Sequence, residues 1–141
     1  MGARMRILYV CVHNAGRSQM AEAFTNALAG GRNLDVSARS AGTVGGKDLN
    51  PMVVQAMAEA GVSLDGHYPK IIDADLVAWA DKIVGMGCGV DAEACPTKFL
   101  LGEDWGLDDP AGQPIEVVRR IRDEVKNRVT AMLADFEREH R

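Results

Sequence analysis

Long apolar runs are missing from this chain, and nothing in it approaches the roughly 20 residues that a membrane-spanning helix requires. The first residues, Met1-Gly2-Ala3-Arg4-Met5-Arg6, lead into a strand-sized segment instead of the apolar core of an export signal, and Arg6 stands where a myristoylation signal needs Ser or Thr. The expectation is a cytoplasmic protein with no membrane partner. Basic residues are not in excess either: 16 Lys and Arg meet 20 Asp and Glu, for a net charge of -4. That balance offers no broad surface to nucleic acid, so any anion site has to be local. Cysteine is scarce and odd in number, with three residues, Cys11, Cys88 and Cys95. An odd count excludes a fully paired secreted framework and suits a reducing compartment that keeps thiols for chemistry. The length, 141 residues, suits a single domain over 1–141 with a core of its own, and nothing demands an obligate oligomer, so a monomer is expected.

What the chain does have is Cys11-Val12-His13-Asn14-Ala15-Gly16-Arg17-Ser18, entered from the apolar Ile7-Leu8-Tyr9-Val10 and left through the helix-like Gln19-Met20-Ala21-Glu22-Ala23-Phe24. The pattern reads as strand, anion cradle, helix. Gly16 is expected to let the loop curl, so that Arg17 returns toward Cys11. Backbone N–H groups along Val12, His13, Asn14, Ala15, Gly16 and Arg17 then point inward. With the positive end of the following helix they make a site for a tetrahedral oxyanion, which the Arg17 guanidinium closes with a two-pronged contact. The same field favours thiolate over thiol and makes Cys11 a candidate nucleophile, with the Ser18 hydroxyl in reach of it. Taken alone, a cysteine and an arginine at this spacing arise often by chance, as a buried thiol and a surface cation. Their place at the carboxyl end of a first strand, where open α/β sheets bind ligands, favours the catalytic reading.

Further along, Gln19 to Leu28 has apolar residues at helical spacing and should stop at Gly30-Gly31, and Leu34–Ser40 alternates as a second strand. Asn50-Pro51 starts a helix with Val53, Val54, Met57, Ala58 and Ala60 on its apolar face, closed by Gly61. His67-Tyr68-Pro69-Lys70 is extended or turning. Asp73 caps a short helix over 74–80 in which Trp79 reads as core, and Lys82–Met86 is a third, buried strand. Phe99-Leu100-Leu101 is the expected fourth strand, Gly102 to Pro110 the loop beyond it, and Ile115 to His140 a long amphipathic helix.

Cys88 and Cys95 lie seven positions apart, far wider than paired zinc ligands usually do, and no matching second pair exists, so no metal is expected. Their glycine and proline neighbours mark loop thiols, which are better redox candidates than core residues. A Cys88–Cys95 bond closes a short loop at about 2.5 kcal/mol of chain entropy, against about 4.5 for Cys11–Cys88, so only a fold brings the distant pair together cheaply. Loops after the first and third strands of a parallel sheet leave by the same edge, which permits that approach. Among the late acids, Asp104, Asp108 and Asp109 all remain candidates for a general acid; Pro110 restrains Asp109.

Cys11-x5-Arg17-Ser18 with Asp109-Pro110 resembles the low-molecular-weight protein tyrosine phosphatases. Adding Gly87-Cys88-Gly89, Cys95-Pro96 and Asp104 to Gly112, the whole chain is similar to the thioredoxin-coupled arsenate reductases built on that fold. The resemblance implies an α/β fold, a four-stranded parallel sheet flanked by helices on both faces, and reduction of arsenate to arsenite with thioredoxin as partner and no bound cofactor. It implies that Cys11 attacks arsenic, Arg17 and the loop amides hold the oxyanion, Ser18 supports the thiolate, Asn14 braces the loop and Asp109 is the acid. It further implies a transient Cys11–Cys88 disulfide, passed on as Cys88–Cys95. Some relatives hold potassium beside the loop; Asn14, Glu22 and Ser40 match that set, but Lys70 stands where an aspartate is expected, so its ammonium replaces the ion. Segment 111–112, Ala-Gly, offers no ring to stack on a phosphotyrosine, though residual phosphatase activity is expected.

Overall fold

The computed structural model describes residues 4–44, 46–87 and 103–139. Cys88, Cys95, both disulfides expected of them and the strand expected at Phe99–Leu101 lie outside the described residues. Four parallel strands, β1 (Met5–Cys11), β2 (Val36–Gly42), β3 (Lys82–Gly85) and β4 (Glu103–Asp104), form one sheet in the order β2-β1-β3-β4. The central strand β1, Met5–Cys11, is buried from Ile7 onward because both of its faces are covered. Side chains alternate across a strand. Ile7, Tyr9 and Cys11 therefore join the larger core, while Leu8 and Val10 pack with Ala41 and Ile83 on the opposite face.

Three helices build the larger core. Helix α1 spans Arg17–Gly31, α2 spans Pro51–Glu59, and α4 spans Ile115–Glu139. The buried seam of α4, as expected of an amphipathic helix, is Val118, Ile121, Val125, Val129, Leu133 and Phe136, with Met132 at its margin. Helix α2 starts as expected, with Asn50 Oδ1 accepting the Met52 N–H at 2.9 Å, but it buries Val53, Ala56 and Met57. Ala58 is exposed and Val54 half-buried, since a 3.6-residue repeat cannot turn all five expected residues inward. The other face of the sheet is covered by α3, Ala74–Trp79, capped by Asp73 Oδ1 on the Leu76 N–H at 2.8 Å.

Three elements and the burial of Trp79 differ from expectation. Helix α1 runs through Gly30 and Gly31, and the turn is made instead at Asn33, whose φ of 59 is left-handed, with Leu34 N–H donating to Ala29 O at 2.9 Å. Strand β2 is Val36–Gly42, two residues later than read, in a register that pairs Cys11 with Gly42 and so supports β1 to its end. Trp79 is half-buried, not core: the Arg39 guanidinium of β2 lies 4.3 Å from its ring centroid. Strand β4 is Glu103–Asp104, inside the expected loop, paired with β3, Lys82–Gly85. Both β4 residues are exposed, so no apolar pattern announces it.

Candidate active site

Strand β1 ends at Cys11, and the chain turns through residues 12–16 before α1 begins at Arg17. The turn comes from Asn14, at φ 56, and not from Gly16, at φ -145. Asparagine tolerates the left-handed region because its side chain bonds locally. Gly16 is needed for space: a Cβ there would meet Pro110 Cγ at 2.9 Å. Gly42 is needed likewise, as a Cβ would meet Val12 O at 2.6 Å.

Five carbonyls from Cys11 to Gly16 accept hydrogen bonds. Cys11 O accepts from Thr43 N–H at 3.0 Å, Val12 O from Val44 N–H at 2.9 Å, and Ala15 O from Asn50 N–H at 2.9 Å. Asn14 O accepts from Gln19 Nε2 at 3.1 Å, and Gly16 O from Met20 N–H at 3.0 Å. In a trans peptide the N–H points opposite to the C=O, and no described bond is cis. The N–H groups of Val12, His13, Ala15, Gly16 and Arg17 are therefore aimed at the other side of the loop. Gly16 gives α1 no side-chain cap, and its first turn holds no acid, so the positive helix end stays available to an anion.

Cys11 Sγ receives the Asn14 N–H at 3.2 Å and lies 2.8 Å from Ser18 Oγ. Asn14 Nδ2 donates to Ser18 Oγ at 2.7 Å, which leaves the Ser18 proton for the sulfur. The thiol is buried apart from a small pocket, about 60 Å³, lined by Cys11, His13, Ala15, Gly16, Arg17, Asn50, Asp109, Pro110 and Ala111. Of Asp104, Asp108 and Asp109, it is Asp109, the one the resemblance implies, that lines this pocket. Asp108 leans toward Arg120 at 3.9 Å, and Asp104 accepts the Gly106 N–H at 2.9 Å. Asp109 is held by the Ala111 N–H on Oδ1 at 3.0 Å and sets Oδ2 3.9 Å from Arg17 Nη2. His13 is exposed at the rim.

Asn14 is fully buried, and its Oδ1 accepts from Gln19 Nε2 and Lys70 N–H, both at 2.9 Å. Gln19 Nε2 also reaches Tyr68 O at 3.0 Å, so Gln19 Oε1 is an acceptor and His67 Nδ1, 2.9 Å from it, carries the proton. Ser40 Oγ donates to Glu22 Oε1 at 2.6 Å, and Lys70 Nζ stands 4.0 Å from the same oxygen. The cluster does not suit a potassium ion: Asn14 Oδ1 is committed to two donors, and Glu22 has a cation from this chain beside it. The structure brings Cys11, Arg17, Ser18 and Asp109 together around one pocket; sequence reasoning did not name Gln19 as a site residue and gave Asn50 only the start of a helix. Asn50 binds the loop through Ala15 O and the acid segment through Pro110 O at 3.4 Å, in addition to capping α2. The only available signal for Gln19 was a polar residue among apolar ones in the first turn of a helix.

Against known families, the model described as low molecular weight phosphotyrosine protein phosphatase matches residues 6–141. A putative arsenate reductase of Halobacterium salinarum is 37% identical over 133 residues, covering 91% of this chain and 90% of its own. A glutaredoxin arsenate reductase of a Synechocystis species is 32% identical over 130 residues, 92% of this chain and 96% of its own. Among solved structures, a thioredoxin-dependent arsenate reductase of Corynebacterium glutamicum superposes with a TM-score of 0.76 at 30% identity, over 96% of this chain and 63% of that one.

Proposed function

We propose that this chain, which belongs to the low molecular weight phosphotyrosine protein phosphatase family, is an arsenate reductase of the cytoplasm that takes its electrons from thioredoxin. The observation that carries the reading is the shared pocket: one nucleophilic sulfur, one guanidinium and one acid line a space of about 60 Å³, with the loop's N–H groups turned away from its occupied carbonyls. A tetrahedral oxyanion suits such a donor set. The relatives named as arsenate reductases support arsenic as its centre.

Cys11 Sγ attacks arsenic, and one oxygen leaves as water on a proton from Asp109. Cys88 then attacks Cys11 Sγ. The S–As electron pair stays on arsenic, which departs as arsenite, so As(V) becomes As(III) while two thiols become the Cys11–Cys88 disulfide. Cys95 attacks Cys88 and releases Cys11 as thiolate, a good leaving group when stabilised. The internal Cys88–Cys95 disulfide is a substrate for a dithiol protein such as thioredoxin by exchange. Gly87 is packed against Arg17, so β3 leads the chain to this rim.

The test is arsenate-dependent NADPH oxidation with thioredoxin and thioredoxin reductase, set beside glutathione with glutaredoxin. Cys11→Ser, Cys88→Ser and Cys95→Ser should each lose turnover by at least a hundredfold. Cleavage of a small aryl phosphate needs only the pocket, so Cys11→Ser should abolish it and Cys88→Ser should spare it. Full thioredoxin turnover in Cys88→Ser or Cys95→Ser would overturn the relay.

A further inference from the structure

Arg17 has a second occupation beside the pocket. Its Nη1 donates to Met86 O and to Leu107 O, each at 2.9 Å, across 69 and 90 positions of sequence. One nitrogen thus holds the end of β3 and the segment that leads to Asp109. Nη2, 3.9 Å from Asp109 Oδ2, faces the pocket. The side chain is buried, with 7% exposure, so both carbonyls would lack this donor if it moved.

The tightest point of this arrangement is Gly87, at φ +112. A Cβ there would lie 2.6 Å from Arg17 Nη1 and 2.6 Å from Leu107 O. The carbonyl belongs to the backbone and cannot yield cheaply, whereas a guanidinium at the end of its stem can. A side chain at 87 forces Arg17 to swing away and pushes Leu107 O outward as well, so the clasp on Met86 and Leu107 and the aim of Arg17 at the pocket are lost together. We propose that Gly87 is a positioning residue for the oxyanion site: it leaves the space in which Arg17 clasps residues 86 and 107, and so sets both the anion contact and the approach of Asp109. The proposal rests on reading the loop as an oxyanion site and not on arsenate reduction.

The test is binding of inorganic phosphate, read as protection of Cys11 from iodoacetamide. Gly87→Ala should weaken it at least tenfold. Gly61→Ala, at φ +80 with nothing within 4 Å of its Cβ position, carries a similar backbone penalty and should stay within twofold. In an Arg17→Lys background, where no Nη1 remains to collide and only the Leu107 O contact is left, adding Gly87→Ala should cost clearly less than in the unaltered chain, by at least threefold. Hydrogen exchange supplies a measurement that needs no change at Gly87: in Arg17→Lys, the amides of 105–109 should exchange at least tenfold faster while those of α2 and α4 do not change. Unchanged phosphate affinity in Gly87→Ala, additive losses in the two backgrounds, or unchanged exchange at 105–109 would each overturn the proposal. Absence of phosphate binding in the unaltered chain would instead overturn the oxyanion site itself, and failure to reduce arsenate alone would leave both standing.

Discussion

Asn14 Nδ2 donates to Ser18 Oγ at 2.7 Å, and that donation directs the single Ser18 proton toward Cys11 Sγ. An aspartate at residue 14 would keep the acceptor for Gln19 and Lys70 but present a second acceptor to Ser18. The hydroxyl proton would turn to the carboxylate, and the sulfur would lose a donor worth about 1.5–3 kcal/mol to an ionised acceptor. Asn14→Asp should therefore slow alkylation of Cys11 at neutral pH by at least about tenfold, one decade per 1.4 kcal/mol. Alkylation at the original rate would show that Ser18 does not serve the sulfur. Cys11, Arg17 and Ser18 were legible as a group because their types are rare in combination and lie close in sequence, whereas Asp109 was singled out only through the resemblance. Gln19 and Asn50 were not, since a buried amide is recognised by the carbonyls around it, and those come from Asn14, Tyr68 and Pro110.

Between elements, α2 and α4 are joined at Glu59, whose two oxygens accept from Arg119 Nε and Nη2 at 2.8 Å each, with Arg122 Nη1 at 3.5 Å. The Arg119 hydrogen bonds foremost pull its carboxyl down from 4.5 to about 2. A carboxyl depressed in the folded state binds fewer protons there than when unfolded. Its contribution is complete above pH 4.5 and is lost as pH falls toward 2. Glu59→Gln should lower the melting temperature at pH 7 by about one or two degrees, as an exposed pair allows, and make the loss between pH 4.5 and 2 shallower. Parallel melting curves across that range would show that the tie contributes nothing. The long helix was readable from its repeat alone, and the short strand was not: Glu103 and Asp104 are a strand only because Val84 and Gly85 lie beside them.

Across the whole molecule, the cluster under the loop gathers Asn14, α1 through Gln19 and Glu22, β2 through Ser40, and the segment of His67 and Lys70. With Lys70 Nζ 4.0 Å from Glu22, potassium in place of sodium at equal ionic strength should leave the melting temperature and turnover unchanged. A clear potassium dependence of either would show that the ammonium does not replace the ion. By itself the sequence determined the strand, loop and helix around Cys11 and the seam of α4, because periodicity and local turn chemistry act over a few residues. Only the tertiary structure decided which acid faces the sulfur, what holds the arginine, and why residues 16, 42 and 87 are glycine. Each depends on backbone brought in from tens of residues away, and the collision that a Cβ would suffer there is written in the partner's position, not in the glycine's neighbours.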